Sequence, residues 1–171
     1  MSAWRALVAA GVPWQFVSAL YVSGNLGRAL VTESNGRWTP AQRGEGAPRL
    51  ILGVRERGVL VDLVALSSGN VDHWSLRLGG AAILGLDHFW AAQLHGRALR
   101  LFGAPMDWLR NGGAGICVLD WTAEAYAMLR GLGSEVTLIA DNADAAEALR
   151  EELKFGGLPK VAAGDVGRLA A

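Results

Sequence analysis

Apolar residues are spaced differently in successive stretches of the chain, and each spacing predicts a different kind of element. Residues 2–22, SAWRALVAAGVPWQFVSALYV, are apolar almost throughout but are interrupted by Gly11, Pro13 and Gln15. That pattern predicts two short helices meeting near Pro13, with Ser2 as a cap and Trp14 and Phe16 as packing anchors. Residues 23–48 are rich in Gly, Ser, Asn and Pro. They predict one strand around Arg28–Glu33, a turn at Ser34-Asn35-Gly36, and an exposed loop from Thr39 to Pro48. RLILGVRERGVLVDLVAL then gives two apolar runs about Glu56-Arg57-Gly58, a hairpin with glycine available for positive φ. Ser67-Ser68-Gly69-Asn70 forms a second turn. HWSLRLGG alternates Trp74, Leu76 and Leu78 against Ser75 and Arg77, as a strand with one wet face does, and AAILG adds a last short strand.

The period changes again further on. LDHFWAAQLHG, residues 86–96, predicts a linking helix capped by Asp87 and ended by Gly96. ALRLF follows as a strand, and PMDWLR as a helical turn with Pro105 at its first position, stopped by Asn111-Gly112-Gly113. Then strand and helix alternate: GICVLDW, TAEAYAMLRGLG, SEVTLIAD, NADAAEALREELKF. The strands are continuously apolar, which predicts a parallel sheet covered on both faces, with Cys117, Val118, Leu138 and Ile139 all buried. Each of the last two ends on an acid, placing Asp120 beside Asp141 at the carboxyl edge where open α/β sheets hold ligands. GLPKVAA adds a final strand after Gly156-Gly157, and a frayed tail runs from Gly164.

The fold class expected is therefore mixed, α+β with α/β. An antiparallel β meander with N-terminal helices (residues 1–96) packs on a C-terminal parallel α/β unit, Rossmann-like or Toprim-like (residues 97–171), in one compact domain.

Composition narrows the function classes. Of the 171 residues, 51% are hydrophobic and 19% charged, enough for a sizeable core. Sixteen basic residues balance sixteen acids, which argues against independent nucleic-acid binding. The balance hides a gradient: residues 1–85 carry eight Arg against five acids, and residues 86–171 eight Arg plus Lys against eleven. Such halves suit self-association or a protein partner. No uninterrupted apolar run is long enough for a membrane span, and the interrupted N-terminal stretch is expected to form packed helices in preference to a leader, so a cytoplasmic protein is expected. Cys117, the single cysteine, excludes an intrachain disulfide and a cysteine zinc site.

Candidate chemistry is sparse. His88 and His95 stand seven apart, whereas helical zinc pairs sit at i and i+4, so both are expected to be structural or at the surface. Asp62, inside VLVDLVAL, is expected on the solvent face or paired with an Arg of a neighbouring strand. Arg37, Arg43 and Arg49 are expected to be solvated. Among the tryptophans, Trp74, Trp90, Trp108 and Trp121 are assigned to packing, and Trp38 is expected to be the exposed one. The turn after Leu119 is Asp120-Trp121-Thr122-Ala123, which has no glycine to admit a pyrophosphate, so no dinucleotide cofactor is expected.

VLDWTAEAYAML resembles the first motif of Toprim domains, found in primases and topoisomerases, where a strand ends in glutamate and glycine with a second acid four residues on. Asp120 and Glu124 keep the spacing of the two acids, with Trp121 in place of the glycine. DNADAAEAL resembles the family's second motif, a magnesium-chelating Asp-x-Asp followed by a helix; here Asp141 and Asp144 are three apart. The strand that separates the two motifs in the family is missing in this alignment. The resemblance implies a Toprim-like fold that has lost catalysis, a non-enzymatic binding or accessory protein of a phage or plasmid replication-type locus. The alternative it implies is a Mg-dependent enzyme acting on nucleotides or nucleic acid. In that case Asp120, Glu124, Asp141 and Asp144 are the catalytic candidates, and Asp120, Asp141 and Asp144 hold the Mg²⁺. Without that ion no cofactor is expected. The plainer alternative makes the acids helix caps: Thr122 or Asp120 before one helix, Asn142 or Asp141 before the other.

Overall fold

A computed structural model describes residues 3–67, 73–154 and 159–164. Ser2, most of the Ser67–Asn70 turn, the Gly156-Gly157 break and the tail beyond Gly164 lie outside them. The described residues form a mixed fold of six helices and two sheets.

The N-terminal stretch folds as expected, into α1 (Ala3–Ala9) and α2 (Trp14–Val22) with Pro13 at the cap position of α2. The antiparallel meander is more than a meander. Strands β1 (Leu26–Ser34), β2 (Arg37–Pro40), β3 (Ala47–Glu56), β4 (Val59–Leu66) and β5 (Trp74–Leu76) close into a barrel in the order β1-β2-β5-β4-β3. Both predicted turns are tight hairpins with left-handed residues at their centres, Asn35-Gly36 (φ 51° and 71°) and Arg57-Gly58 (φ 49° and 80°). Closure comes from β2, whose Thr39 and Pro40 fall in the stretch expected to be a loop and whose Arg37 pairs in parallel with Leu76 of β5.

That closure changes several expectations. Trp38 is only 3% exposed, packed with Val31 and Ala65, and its indole N–H donates to the Leu63 carbonyl at 3.1 Å. Arg49 is not free in solvent: its Nε donates to Glu33 at 2.8 Å. Asp62 is 2% exposed and so does not lie on the solvent face. Its carboxylate accepts the backbone N–H groups of Leu63 (2.7 Å), Leu78 (3.0 Å) and Gly80 (2.9 Å). By taking the last two it bends the chain after Leu76, so β5 stops there and Leu78 points to solvent.

The chain then leaves the barrel. β6 (Ile83–Leu84), expected as the last strand of the meander, pairs instead with the second sheet, and α3 (Leu86–His95) packs on that sheet. β6 and α3, expected with the N-terminal half, thus belong to the second sheet and its core. α3 is capped by Gly85 in a left-handed conformation (φ 85°) and not by Asp87; a side chain there would strike the Gly115 carbonyl. Gly96, also left-handed, ends it as expected.

The second sheet runs β10-β9-β7-β8-β6, built from β7 (Leu99–Phe102), β8 (Ile116–Val118), β9 (Thr137–Ala140) and β10 (Lys160–Ala163) in parallel with β6 antiparallel at one edge. One face of the sheet packs with α3, α5 (Ala123–Arg130) and α6 (Ala143–Leu153) in a core that includes Leu101, Val118, Leu129, Leu138 and Leu149. The other face carries α4 (Pro105–Arg110) and joins the barrel and α1–α2 in one continuous core through Phe102, Met106, Cys117 and Leu119. Cys117, Val118 and Leu138 are buried as expected, but Ile139 is only half-buried. It sits level with Arg100 on the face that α4 and the barrel cover elsewhere.

Candidate functional site

Strand order decides where a site can form. Along the chain the parallel strands come as β7, β8, β9, β10, but in space β7 lies between β8 and β9. The connection from β7 goes one way and the later connections go the other, with their helices on opposite faces, as right-handed crossovers require. A crevice opens between the carboxyl ends of two strands where the order reverses, and here those strands are β7 and β9.

Insertion of β7 also corrects the expected neighbours. Asp120 and Asp141 are not side by side; their strands are two spacings apart, roughly 10 Å. Each acid has its own ties. Asp120 Oδ2 lies 3.4 Å from the Arg37 guanidinium of the barrel. Asp141 Oδ2 accepts the Gly103 N–H at 3.1 Å, and its Oδ1 lies 3.8 Å from Arg100. Neither caps a helix. Thr122 Oγ1 accepts the Ala125 N–H at 3.2 Å, and Asn142 Oδ1 accepts the Ala145 N–H at 2.8 Å. Glu124 and Asp144 stand exposed in the first turns of α5 and α6. Among the described residues no group of three or more His, Cys, Asp or Glu side chains is close enough to share a metal ion. His88 and His95 are both exposed on α3.

The crevice itself is a cavity of about 430 Å³ over the ends of β7 and β9. Its floor is Leu101, Phe102 and Gly103, whose backbone N–H is taken by Asp141. Ala145, Ala148 and Leu149 of α6 make a smooth apolar wall. Opposite stand Trp121 and Tyr126, with ring centroids 5.2 Å apart and planes tilted by 38°. Trp121, assigned to packing from the sequence, is 47% exposed. Asp141 and Glu152 supply the charge. Burial raises the Tyr126 hydroxyl above its ordinary range, and the neighbouring Glu152 carboxylate raises it further against the opposing pull of Arg130.

A second crevice of about 460 Å³ lies between barrel and sheet, where Arg37 and Asp120 meet Trp74 and Ser75. It is crossed by the Arg37–Asp120 pair and by the Trp74 N–H, which donates to the Leu119 carbonyl at 3.2 Å. These ties fasten the two halves together.

The sequence pointed to Asp141 but not to Gly103, Trp121, Tyr126 or Glu152. A signal was present: an aromatic residue directly after a strand-ending acid, with a second aromatic five positions on in the first turns of the next helix. In a parallel sheet that position faces the ligand edge. Compared with protein-family models and with curated proteins, the chain matches none.

Proposed function

We propose that the chain is a non-enzymatic binding protein whose α/β unit holds a small ligand in the crevice between β7 and β9. The observation that carries this reading is an apolar, aromatic-walled cavity at the one place in the parallel sheet where strand order reverses. The Toprim-like reading is kept in its form without catalysis: of its candidate acids Asp120, Glu124, Asp141 and Asp144, only Asp141 lines the crevice, where it is tied to Gly103 and Arg100.

The test combines two measurements. Millimolar Mg²⁺ or Mn²⁺ is expected to leave the melting temperature unchanged, because no divalent cation binds the native state selectively. Small aromatic fragments are expected to shift the amide resonances of Gly103, Trp121 and Ala145. A metal-dependent rise in melting temperature that disappears in Asp141→Asn would overturn the reading in favour of a metal-dependent enzyme.

A further inference from the structure

We infer that the crevice between β7 and β9 selects a small aromatic amine in its ammonium form; this rests on the crevice being the binding site. Asp141 and Glu152 are acceptors only, and no Lys, Arg or His side chain is part of the lining. The lining's own side-chain donors are the Trp121 indole N–H and the Tyr126 hydroxyl, which has the Glu152 carboxylate beside it. A ligand must therefore bring donors of its own. Asp141 has capacity to receive them: Oδ2 takes one backbone N–H, and Oδ1 has only the long 3.8 Å approach of Arg100.

A carboxylate or phosphate ligand would meet two carboxylates in the lining, to which no cationic side chain contributes. At the nearby start of α6, Asn142 takes the Ala145 N–H and Asp144 adds a further negative charge in the first turn, which opposes an anion there. The aromatic rings point the same way. The electron-rich face of an indole or phenol attracts a cation, and indole attracts it best. This protein already uses two of the rings around the crevice in that manner. The Arg100 guanidinium lies 4.9 Å from the centroid of Phe102, and that of Arg130 lies 5.7 Å from the centroid of Tyr126. Trp121 is the half-exposed ring of the set, and among the described residues no guanidinium stands over it. A cation seated against Trp121 and within reach of Asp141 completes the arrangement. Its flat apolar body then lies on Ala145, Ala148 and Leu149, and a cavity of about 430 Å³ holds one or two rings.

Three probes that share a phenylethyl body separate charge from shape: 2-phenylethylammonium, 2-phenylethanol and 3-phenylpropionate. Binding to the full chain is followed by ligand-observed NMR and tryptophan fluorescence. The ammonium is expected to bind about tenfold more tightly than the alcohol, with no binding of the carboxylate. Trp121→Leu and Asp141→Asn are each expected to weaken the ammonium about tenfold. Asp141→Asn keeps an oxygen for the Gly103 N–H, so the fold is retained. If the alcohol or the carboxylate binds as tightly as the ammonium and still depends on Trp121, the ligand class is wrong while the crevice stands as a site. Ammonium binding that ignores both substitutions would overturn the inference by placing the ligand elsewhere. If none of the three binds, the inference is also overturned, and the fragment shifts at Gly103, Trp121 and Ala145 then decide whether the crevice binds anything.

Discussion

Asp62 in the barrel and Asp141 at the end of β9 show how differently the two halves of the molecule treat a carboxylate. Asp62 is sealed from solvent and takes three backbone N–H groups, so its acceptor capacity is consumed inside the fold. Asp141 takes one N–H and a distant guanidinium, and the rest of its capacity opens into a cavity. The physical lesson concerns the price of burial. A buried charge is tolerable when fixed dipoles replace its water, and it then serves structure alone. A carboxylate left partly unsatisfied at a strand end keeps its affinity for something from outside.

The contrast can be broken most forcefully at Asp62. Asp62→Ala leaves three backbone donors without an acceptor in a buried site, an expected cost of about 3–5 kcal/mol in urea or thermal unfolding. Asp62→Asn, which keeps one oxygen, should cost clearly less; equal costs would mean that the volume matters and the hydrogen bonds do not.

Leu149→Ala comes next, at about 2–4 kcal/mol, because Leu149 is buried between α6 and the sheet while also walling the crevice. A loss under half that size in the same unfolding experiment would place α6 more loosely on the sheet than described. Asn142→Ala, which removes the α6 cap, should cost about 1 kcal/mol. Asp141→Asn should cost less than that, and this ordering sharpens the distinction between the residue that caps and the acid beside it. The reverse order would return Asp141 to the role of a structural cap.

The mildest contrast concerns Cys117. Burial pushes its thiol up to about 12, with Asp107 and Asp141 adding to the effect. Below about pH 9 the thiol is neutral in folded and unfolded chains alike, and its burial contributes in full. Above that the unfolded chain loses the proton first, so stability should decline as pH rises from about 9 towards 12. At neutral pH the measurable consequence is slow reaction with a thiol reagent until denaturant is added. Equal rates in native and denatured protein would mean the thiol is not enclosed.

Much of the fold was legible because it is local. Asn35-Gly36 and Arg57-Gly58 announced their hairpins, Pro13 and Pro105 their helix starts, and the apolar runs ending at Asp120 and Asp141 their strands. What was not legible depends on distant partners. Closure of the barrel rests on Arg37 meeting Leu76, and nothing near either residue encodes the other. Trp38 looked exposed because its segment is polar, yet its partners Val31 and Ala65 come from other strands. The order of parallel strands is likewise absent from local pattern, so β7 could not be foreseen between β8 and β9. For that reason the sequence offered Asp120 and Asp141 as one site, and the structure separates them into a tie to the barrel and a wall of the crevice.

Closing the barrel has a further consequence for how the protein meets other chains. Closing the ring through Arg37 and Leu76 leaves the barrel no long outer strand for a neighbour's strand to extend. Among the described residues, strand edges remain only on the second sheet, at β6 and at β10. β6 is two residues long, too short to guide pairing. Any strand donated by another molecule would therefore have to enter alongside β10, which confines the hazard of edge-to-edge aggregation to one short, four-residue border.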